Sequence, residues 1–213
     1  MEKNILREDI EYAIHCEKDG IIIGPLSKTH AHLQGVRPTL THYSTWAMIY
    51  NPSLKKYGLQ LKTPKKHDNF KTPKWDMGVA GHNYYKKEGN IFRPVLFEEN
   101  LVKETDEEIG LKLEPFTKLK DFLGVARNLT GTIGFIFETF LYQNEINSEW
   151  VGAGFILTNE TKLEFKDNEV IKFRWLTPEE LEDYLKKENN YYAALPVIFE
   201  KAEKFRKKYL NDL

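Results

Sequence analysis

The sequence predicts an α+β fold in which helices cover both faces of a mixed sheet, an α/β/α sandwich. Short segments rich in β-branched and aromatic residues recur along the chain and are typical of strands. Helical patterns occur once in the middle of the chain and twice near its C-terminus. Because no linker or repeat interrupts this order, the 213 residues are expected to form a single domain with a sizeable core, residues 1–213.

Local signals place the individual elements. A short N-terminal helix is predicted at residues 1–17, before a core that covers residues 18–186. Pro52 and Ser53 predict a turn between two hairpin strands. The predicted strands are residues 21–23, 45–50, 57–61, 119–126, 133–142, 155–157 and 171–175. The other predicted stretches are a polar basic loop at 62–74, an insertion at 144–154, and helices at 179–187 and 193–209.

The central helix carries three acids on one face. It is predicted over residues 94–109, because Pro94 suits a first helical position and Gly110 suits the left-handed residue that ends a helix. Spacing of i, i+3 and i+4 puts three carboxylates in one narrow stripe, and a divalent cation such as Mg²⁺ would offset their repulsion. A solvated acidic surface is the alternative. The three acids are Glu104, Glu107 and Glu108. A mostly apolar stripe for the core consists of Phe97, Leu101, Thr105 and Ile109.

The stretch 103–111, Lys-Glu-Thr-Asp-Glu-Glu-Ile-Gly-Leu, resembles the second half of the Nudix hydrolase motif, Arg-Glu-apolar-x-Glu-Glu-x-Gly-apolar. Gly81 resembles the glycine that opens the motif, although its separation from Lys103 is longer than in the family. The usual glutamate of the first half is missing unless Glu88 takes its place, and Lys103 replaces the usual arginine. In the family these two residues pair and brace the loop, so their joint loss leaves neither charge unpaired.

The flanking sequence resembles one branch of this family, the branch related to isopentenyl diphosphate isomerase. The matching stretches are residues 24–28, 32–35, 42, 45–51, 75–76, 80–82 and 168–181. The isomerase has a cysteine at the position of Ala80, and two acids in a later strand where this chain has the apolar run 133–137. Since an alanine cannot transfer a proton, the isomerase is the less favoured activity. The hydrolase-like members, which share Ala-Gly-His at 80–82, match better.

The resemblance implies a Nudix-type diphosphate hydrolase, an enzyme acting on acid anhydrides, that requires Mg²⁺ or, as a substitute, Mn²⁺. The implied metal ligands are Glu104, Glu107, Glu108 and the backbone carbonyl of Ala80, and the same three glutamates are the implied catalytic residues. Spacing alone does not say which glutamate is the general base. Replacing Glu107 or Glu108 with glutamine is expected to abolish Mg²⁺-dependent release of phosphate and to change thermal stability little.

The implied substrate is a nucleoside diphosphate derivative or an isoprenoid diphosphate. Two rival functions stay open. One is a Nudix-fold protein that binds a nucleotide or diphosphate with little or no catalysis, and the other, less favoured, is an isomerase that uses a different acid.

Further residues are expected to contact the substrate. They are Gly81, His82, Lys62, Lys65, Tyr84 and Arg127. The lysines could hold a diphosphate as point charges, with a solvated surface as the alternative. Tyr84 could stack on the substrate or simply anchor its loop. His32 and His42 correspond to metal-binding positions of the isomerase, but structural hydrogen bonding is the default interpretation, because the other ligands of that site were not found in the sequence.

Composition favours a soluble, cytoplasmic protein. The net charge of −1 gives no general attraction to nucleic acid or to an anionic membrane. The single cysteine, Cys16, fits a reducing compartment. No segment approaches the ~20 apolar residues of a membrane span. We therefore expect a small-molecule diphosphate as partner, with no nucleic acid and no membrane, and a homodimer as one option for assembly.

Overall fold

The computed structural model describes residues 6–31, 33, 35–64, 71–166 and 168–213. Lys65, a predicted substrate contact, and His32, which was considered as a metal ligand, lie outside this part of the chain. In chain order the strands are β1 (Tyr12–Cys16), β2 (Ile22–Ser27), β3 (His42–Asn51), β4 (Lys56–Lys62), β5 (Lys74–Asp76), β6 (Val79–His82), β7 (Tyr85–Glu88), β8 (Ile91–Pro94), β9 (Leu113–Phe116), β10 (Thr132–Gln143), β11 (Ser148–Leu157) and β12 (Val170–Leu176). The helices are α1 (Lys28–Ala31), α2 (Phe97–Ile109), α3 (Leu119–Ala126), α4 (Pro178–Lys187) and α5 (Ala194–Tyr209).

The main sheet is mixed, which confirms the predicted α+β class. Its central path runs β12-β4-β3-β11-β10-β9. The pairs β3–β11 and β9–β10 are parallel, whereas β4 pairs antiparallel with both β3 and β12. Strand β6 pairs antiparallel with β3, beside which β11 lies on the other edge. Strands β7 and β8 form a separate hairpin.

Strand β3 is buried along all ten of its residues, because helices cover both faces of the sheet. Its side chains alternate between the two faces, as the period of two in a β-strand requires. Ala47 and Ile49 pack in the same cluster as Leu101 and Ile109 of α2. On the other face lies a larger cluster that includes Trp46, Met48, Tyr50, Phe155, Phe199 and Phe205. The sheet thus separates α2 from α5.

The central helix begins later than predicted. Pro94 lies in β8, paired with Tyr85, and the helix starts at Phe97. The predicted start was wrong because a proline at a strand end and a proline at a first helical position give the same local signal. The predicted end is confirmed, since Gly110 has a φ of 72° and its N–H bonds to Asp106 O.

Three other predicted segments were wrong. Within residues 6–17, the described part of the predicted N-terminal helix, Tyr12–Cys16 forms β1 and pairs with β2. Residues 119–126 form helix α3, whose apolar residues recur at helical rather than strand spacing. Residues 148–154 are not an insertion, because they form the first seven of the ten residues of β11. A strand that is buried on both faces gives a continuous apolar run, and this run was read as starting at Phe155.

The short strands β5 to β9 were not predicted, and the other predicted strands and helices overlap elements of the same type. The turn around Pro52 joins β3 to β4 in an antiparallel hairpin. Helix α5 occupies Ala194–Tyr209, which confirms the predicted C-terminal helical extension. Among the helices described, none has the length and apolar character needed to cross a membrane.

Candidate functional site

Helix α2 turns its acidic face toward β6 because its apolar stripe is buried in the core. Leu101 and Ile109 are fully buried against the sheet. Thr105, the polar member of the stripe, is also buried and donates its hydroxyl to the Leu101 carbonyl at 2.6 Å. The helix is thus fixed in rotation, and the glutamates at the spacing predicted from the sequence meet the backbone of β6.

Glu108 is the most buried of the three acids, with 1% of the residue exposed. One of its oxygens lies 2.5 Å from the Lys62 ammonium, and the other accepts hydrogen bonds from Gln60 Nε2 and the Ala80 backbone N–H, both at 3.0 Å. Burial raises the pKa of Glu108, and the adjacent Lys62 charge opposes that rise. The carboxylate therefore joins the helix to both β4 and β6.

Glu104 lies directly against the next residue of β6. A β-carbon built on Gly81 would stand 2.1 Å from Cδ of Glu104, so only glycine leaves room for this carboxylate. Burial, followed by the charge of Glu108, raises the pKa of Glu104 from 4.5 to about 7. Lys103 donates to one Glu104 oxygen at 3.0 Å. Burial and the negative charge of Glu108 thus favour the protonated form of Glu104 over its carboxylate.

Glu107 occupies the rim rather than the interior. Its side chain is 49% exposed and pairs with Lys103 at 2.6 Å, one helical turn away. The sequence pattern predicted three equivalent acids on one stripe. The structure brings two of them, Glu104 and Glu108, onto the backbone of residues 80–81 and leaves the third at the edge.

Lys62 is buried inside this cluster instead of standing in a surface loop. It is the last residue of β4, and its side chain is 6% exposed. Besides Glu108, its ammonium contacts the Ala80 carbonyl at 3.4 Å and Asp76 at 3.8 Å. The solvated alternative considered for this lysine was wrong.

Solved structures share this arrangement of strands and helices. The protein DR0079 of Deinococcus radiodurans matches with a TM-score of 0.58 and 14% identity, over 90% of this chain and 99% of that one. A Nudix hydrolase from Nitrosomonas europaea has a TM-score of 0.49 and 13% identity, over 79% of this chain and 90% of its own. A Nudix-family hydrolase from Clostridium perfringens has a TM-score of 0.46 and 18% identity, over 78% and 97%. No protein-family model and no curated protein sequence matches the chain.

The chain shares the fold of DR0079. Helix α2 carries most of the stretch 103–111 that resembles the Nudix motif, and for that resemblance we call it the Nudix helix. At these sequence identities the similarity concerns the fold alone.

The β7–β8 hairpin is tied to helix α2 by ion pairs. Arg93 of β8 donates to Glu88 of the same hairpin at 2.7 Å and to both oxygens of Glu99 on α2 at 2.7 and 2.9 Å. Lys86 of β7 lies 3.7 Å from the same two acids. The hairpin thus supplies the cations and the helix an acid, whereas the motif that the sequence resembles has its arginine on the helix. Lys103, at the position of that arginine, pairs with Glu104 and Glu107.

Tyr84 opens the braced hairpin and faces the same acidic rim. Its ring centroid lies 5.3 Å from the Lys103 ammonium, and its carbonyl accepts the Val95 N–H at 2.8 Å. The aromatic ring is thereby held beside the acidic face of the Nudix helix.

A second cluster of possible metal ligands lies at the start of β3 and β11. His42, His82 and Glu149 offer ligand atoms that all lie within 4.8 Å of one another. Glu149 Oε1 is 3.8 Å from His42 Nε2, 3.7 Å from His82 Nε2 and 3.6 Å from an Arg37 guanidinium nitrogen. The second oxygen of Glu149 accepts from Trp46 Nε1 at 3.0 Å. Two imidazoles and a carboxylate form a ligand set that suits Zn²⁺ or another transition-metal ion.

Electrostatics favour a charged acid and neutral imidazole in that second cluster. Burial would raise the pKa of Glu149, but the hydrogen bond and charge of His82, together with His42, hold it well below its usual range. Burial lowers the pKa of His42, against the opposing pull of Glu149. An ionised carboxylate and a neutral imidazole are the forms that bind metal ions.

Glu149 is the site residue that sequence reasoning missed. In the resemblance, the positions of the isomerase's two acids correspond to the apolar run 133–137, which lies in β10. Residues 144–154 were predicted to be an insertion, so Glu149 was not considered. The register of β11 puts Glu149 opposite His42. The available signal in the sequence was Glu149 itself, an acid directly before the apolar run 150–157.

The two clusters are linked through adjacent residues of one strand. Gly81 faces Glu104, and His82 follows it directly in β6, so their side-chain directions point to opposite faces of the strand. The acidic cluster on the Nudix helix and the His42–His82–Glu149 cluster therefore lie on either side of the β6 backbone.

Arg127 is not brought to either cluster. It lines a surface cleft with Pro52 and Asn159, just beyond the end of β3 and β11. His42 begins β3, and the ten residues of that strand span roughly 30 Å at about 3.3 Å per residue. Arg127 is thus at the opposite end of the sheet from the histidines.

Proposed function

We propose that the chain is a divalent-metal-dependent hydrolase that cleaves a diphosphate linkage in a nucleoside diphosphate derivative or an isoprenoid diphosphate. The observation that supports it is the convergence of Glu104 and Glu108 on the backbone of residues 80–81. Two carboxylates that share a partly desolvated position are costly unless a cation accompanies them.

The acidic cluster offers the donor atoms that a divalent cation uses. The carboxylates of Glu104, Glu107 and Glu108 lie together with the ammonium groups of Lys62 and Lys103. Oxygen donors are the ligands that Mg²⁺ and Mn²⁺ prefer.

The residues have distinct roles in this proposal. Glu107, Glu108 and the Ala80 carbonyl would hold the ion, which when bound offsets charge on the phosphate oxygens. Glu104 would then act as the general base rather than as a ligand. Its pKa of about 7 belongs to the metal-free protein, and a bound cation would lower it and favour the carboxylate that accepts a proton. Lys62 and Lys103 add positive charge beside the phosphate, and Tyr84 offers an aromatic face to the organic half.

The test is a panel of diphosphates that includes a nucleoside diphosphate sugar, a dinucleoside polyphosphate and a prenyl diphosphate, each with Mg²⁺ or Mn²⁺. Phosphate and the organic product are both measured. Glu104→Gln should lower kcat at least ~100-fold, the range typical of a lost general base. Glu114→Gln, an exposed change on β9, is the matched control. Absence of product from the whole panel, or equal turnover in Glu104→Gln, would refute the proposal.

One observation favours the second candidate, a diphosphate-binding protein without turnover. Lys62 already pairs with Glu108 and the Ala80 carbonyl, the two groups expected to hold the ion most tightly. Such a protein would show a ligand-dependent rise in Tm with the same panel and no product over hours.

A further inference from the structure

The ammonium group of Lys62 lies between a carboxylate oxygen of Glu108 and the carbonyl oxygen of Ala80, which are two ligands of the proposed metal site. Its Nζ lies 2.5 Å from a Glu108 oxygen and 3.4 Å from the Ala80 carbonyl. Asp76, at 3.8 Å, adds a second carboxylate to its surroundings. Three oxygens on three different elements thus surround one ammonium group.

Burial makes this a fixed position. The side chains of Lys62 and Glu108 are 6% and 2% exposed, so neither charge is screened by water. Burial would lower the pKa of Lys62, but Glu108 and Asp76 raise it above its ordinary value. The lysine therefore carries its charge throughout the range in which the protein would work.

Glu108 has little capacity left for another partner. A carboxylate accepts about four hydrogen bonds, and Glu108 already accepts from Lys62, Gln60 and the Ala80 N–H. A metal ion on the same oxygen would sit beside the ammonium, and two positive charges at that separation in a buried site repel strongly.

We propose that Lys62 is the resident cation of the position between Glu108 and the Ala80 carbonyl, and that a divalent metal ion must displace its ammonium to bind there. The inference rests on the proposed metal site but not on hydrolysis. Lys62 then sets the metal affinity of the protein. An anionic diphosphate that attracts the displaced ammonium would favour metal binding, so the two ligands would help each other.

The test is a titration with Mn²⁺ alone, followed by electron paramagnetic resonance of the free ion. Lys62→Met removes the charge and keeps a long side chain, so it should bind Mn²⁺ at least ~10-fold more tightly than the wild type. Lys166→Met is the matched control, because Lys166 forms a 2.5 Å pair with Asp106 on the exposed face of the same helix. Its affinity for Mn²⁺ should not change.

Two further variants identify the competing group. Lys62→Arg retains a positive charge and should bind Mn²⁺ as weakly as the wild type. Lys62→Met combined with Glu108→Gln removes both buried charges and should lose the tight binding.

Lys62→Met leaves Glu108 buried without its ion pair, so the metal-free variant should have a lower Tm that Mn²⁺ restores. Affinity no higher than that of the wild type, or a variant that stays unfolded at millimolar Mn²⁺, overturns the proposal. A wild type that hydrolyses no diphosphate while Lys62→Met gains affinity would remove the hydrolase function and leave this inference standing.

Discussion

The Glu104 carboxylate occupies the space that a side chain on Gly81 would need, 2.1 Å from the position of its β-carbon. Gly81, which resembles the opening glycine of the Nudix motif, therefore has a steric role, because it admits a carboxylate against the backbone of β6.

Gly81→Ala should displace the Glu104 carboxylate from the β6 backbone. Overpacking costs about 1–3 kcal/mol of unfolding free energy, and the lower end or less is expected here, because the atoms that must move are the end of a flexible side chain. Gly124→Ala is the control, since nothing lies within 4 Å of its added β-carbon and a helical glycine replaced by alanine gains ~0.5–1 kcal/mol. Urea unfolding of both variants measures the difference. Equal stabilities would contradict the predicted collision.

In metal-free protein, Glu104 should make stability fall as pH rises from about 4.5 to about 7. Its raised pKa means that the folded state retains a proton which the unfolded state releases in that window, so the contribution is complete below 4.5 and lost above 7. Glu104→Gln should remove this slope. His42, whose pKa is lowered by burial, acts in the opposite sense, so the informative quantity is the difference between wild type and variant in unfolding free energy. An identical pH dependence in the two proteins would count against the shift.

Glu107→Gln and Glu108→Gln should differ sharply in stability, although the sequence alone predicted little effect for either. Glu107 is half exposed and its pair with Lys103 contributes at most ~1 kcal/mol. Glu108→Gln strands the buried Lys62 ammonium, and breaking a buried pair from one side costs about 3–5 kcal/mol. Thermal and urea unfolding test this. Similar Tm values for the two variants would mean that the Lys62–Glu108 pair is not buried in solution.

Arg93→Gln should loosen the hairpin that leads into the Nudix helix. The arginine ties Glu88 in the hairpin to Glu99 in the helix by hydrogen bonds, and Lys86 contacts the same two acids only at 3.7 Å. Amide hydrogen exchange over residues 84–95 should become faster, with little change in global Tm. Arg7→Gln, which breaks an exposed pair with Asp9, is the control and should leave those amides unaffected. Unchanged exchange in Arg93→Gln would rule out the brace.

The His42–His82–Glu149 cluster should bind Co²⁺ as a spectroscopic substitute for Zn²⁺, with visible absorption typical of nitrogen and oxygen ligands. Glu149→Gln should abolish that signal. Glu104→Gln, on the other side of β6, should retain it. Loss of the signal in both variants, or in neither, would argue against two separate sites.

The acidic face of the Nudix helix was predictable because helical periodicity fixes direction without any tertiary information. Spacing placed Glu104, Glu107 and Glu108 on one face, and the backbone requirement of a helix end indicated Gly110. The metal-binding role of the three acids came from the resemblance to the Nudix motif and stays a prediction. Their unequal burial was not predictable, because it depends on where β6 passes the helix. The burial of Lys62 was not predicted for the same reason. A lysine at the end of a strand gives the same sequence signal whether its side chain faces water or a buried glutamate.

The second cluster depends on a pairing that local sequence does not encode. His42 and Glu149 meet only because β3 and β11 pair in parallel. The helix at 119–126 was a different kind of error, since Phe122 and Ala126 are buried at helical spacing and the pattern was present to be read.

The sequence separation of β3 and β11 also determines how long one edge of β3 stays unpaired while the chain is being synthesised. Thr41 and Ser148, whose hydroxyl groups bond at 2.8 Å beside this pair, are 107 residues apart in the chain. At about 5–20 residues per second, a nascent chain holds the ten apolar-rich residues of β3 for roughly 5–20 s before β11 leaves the ribosome. During that interval the edge of β3 that will pair with β11 is open to association with other chains, although β4 and β6 can already pair with the strand. The yield of folded protein should therefore depend on chaperone supply and on the rate of translation.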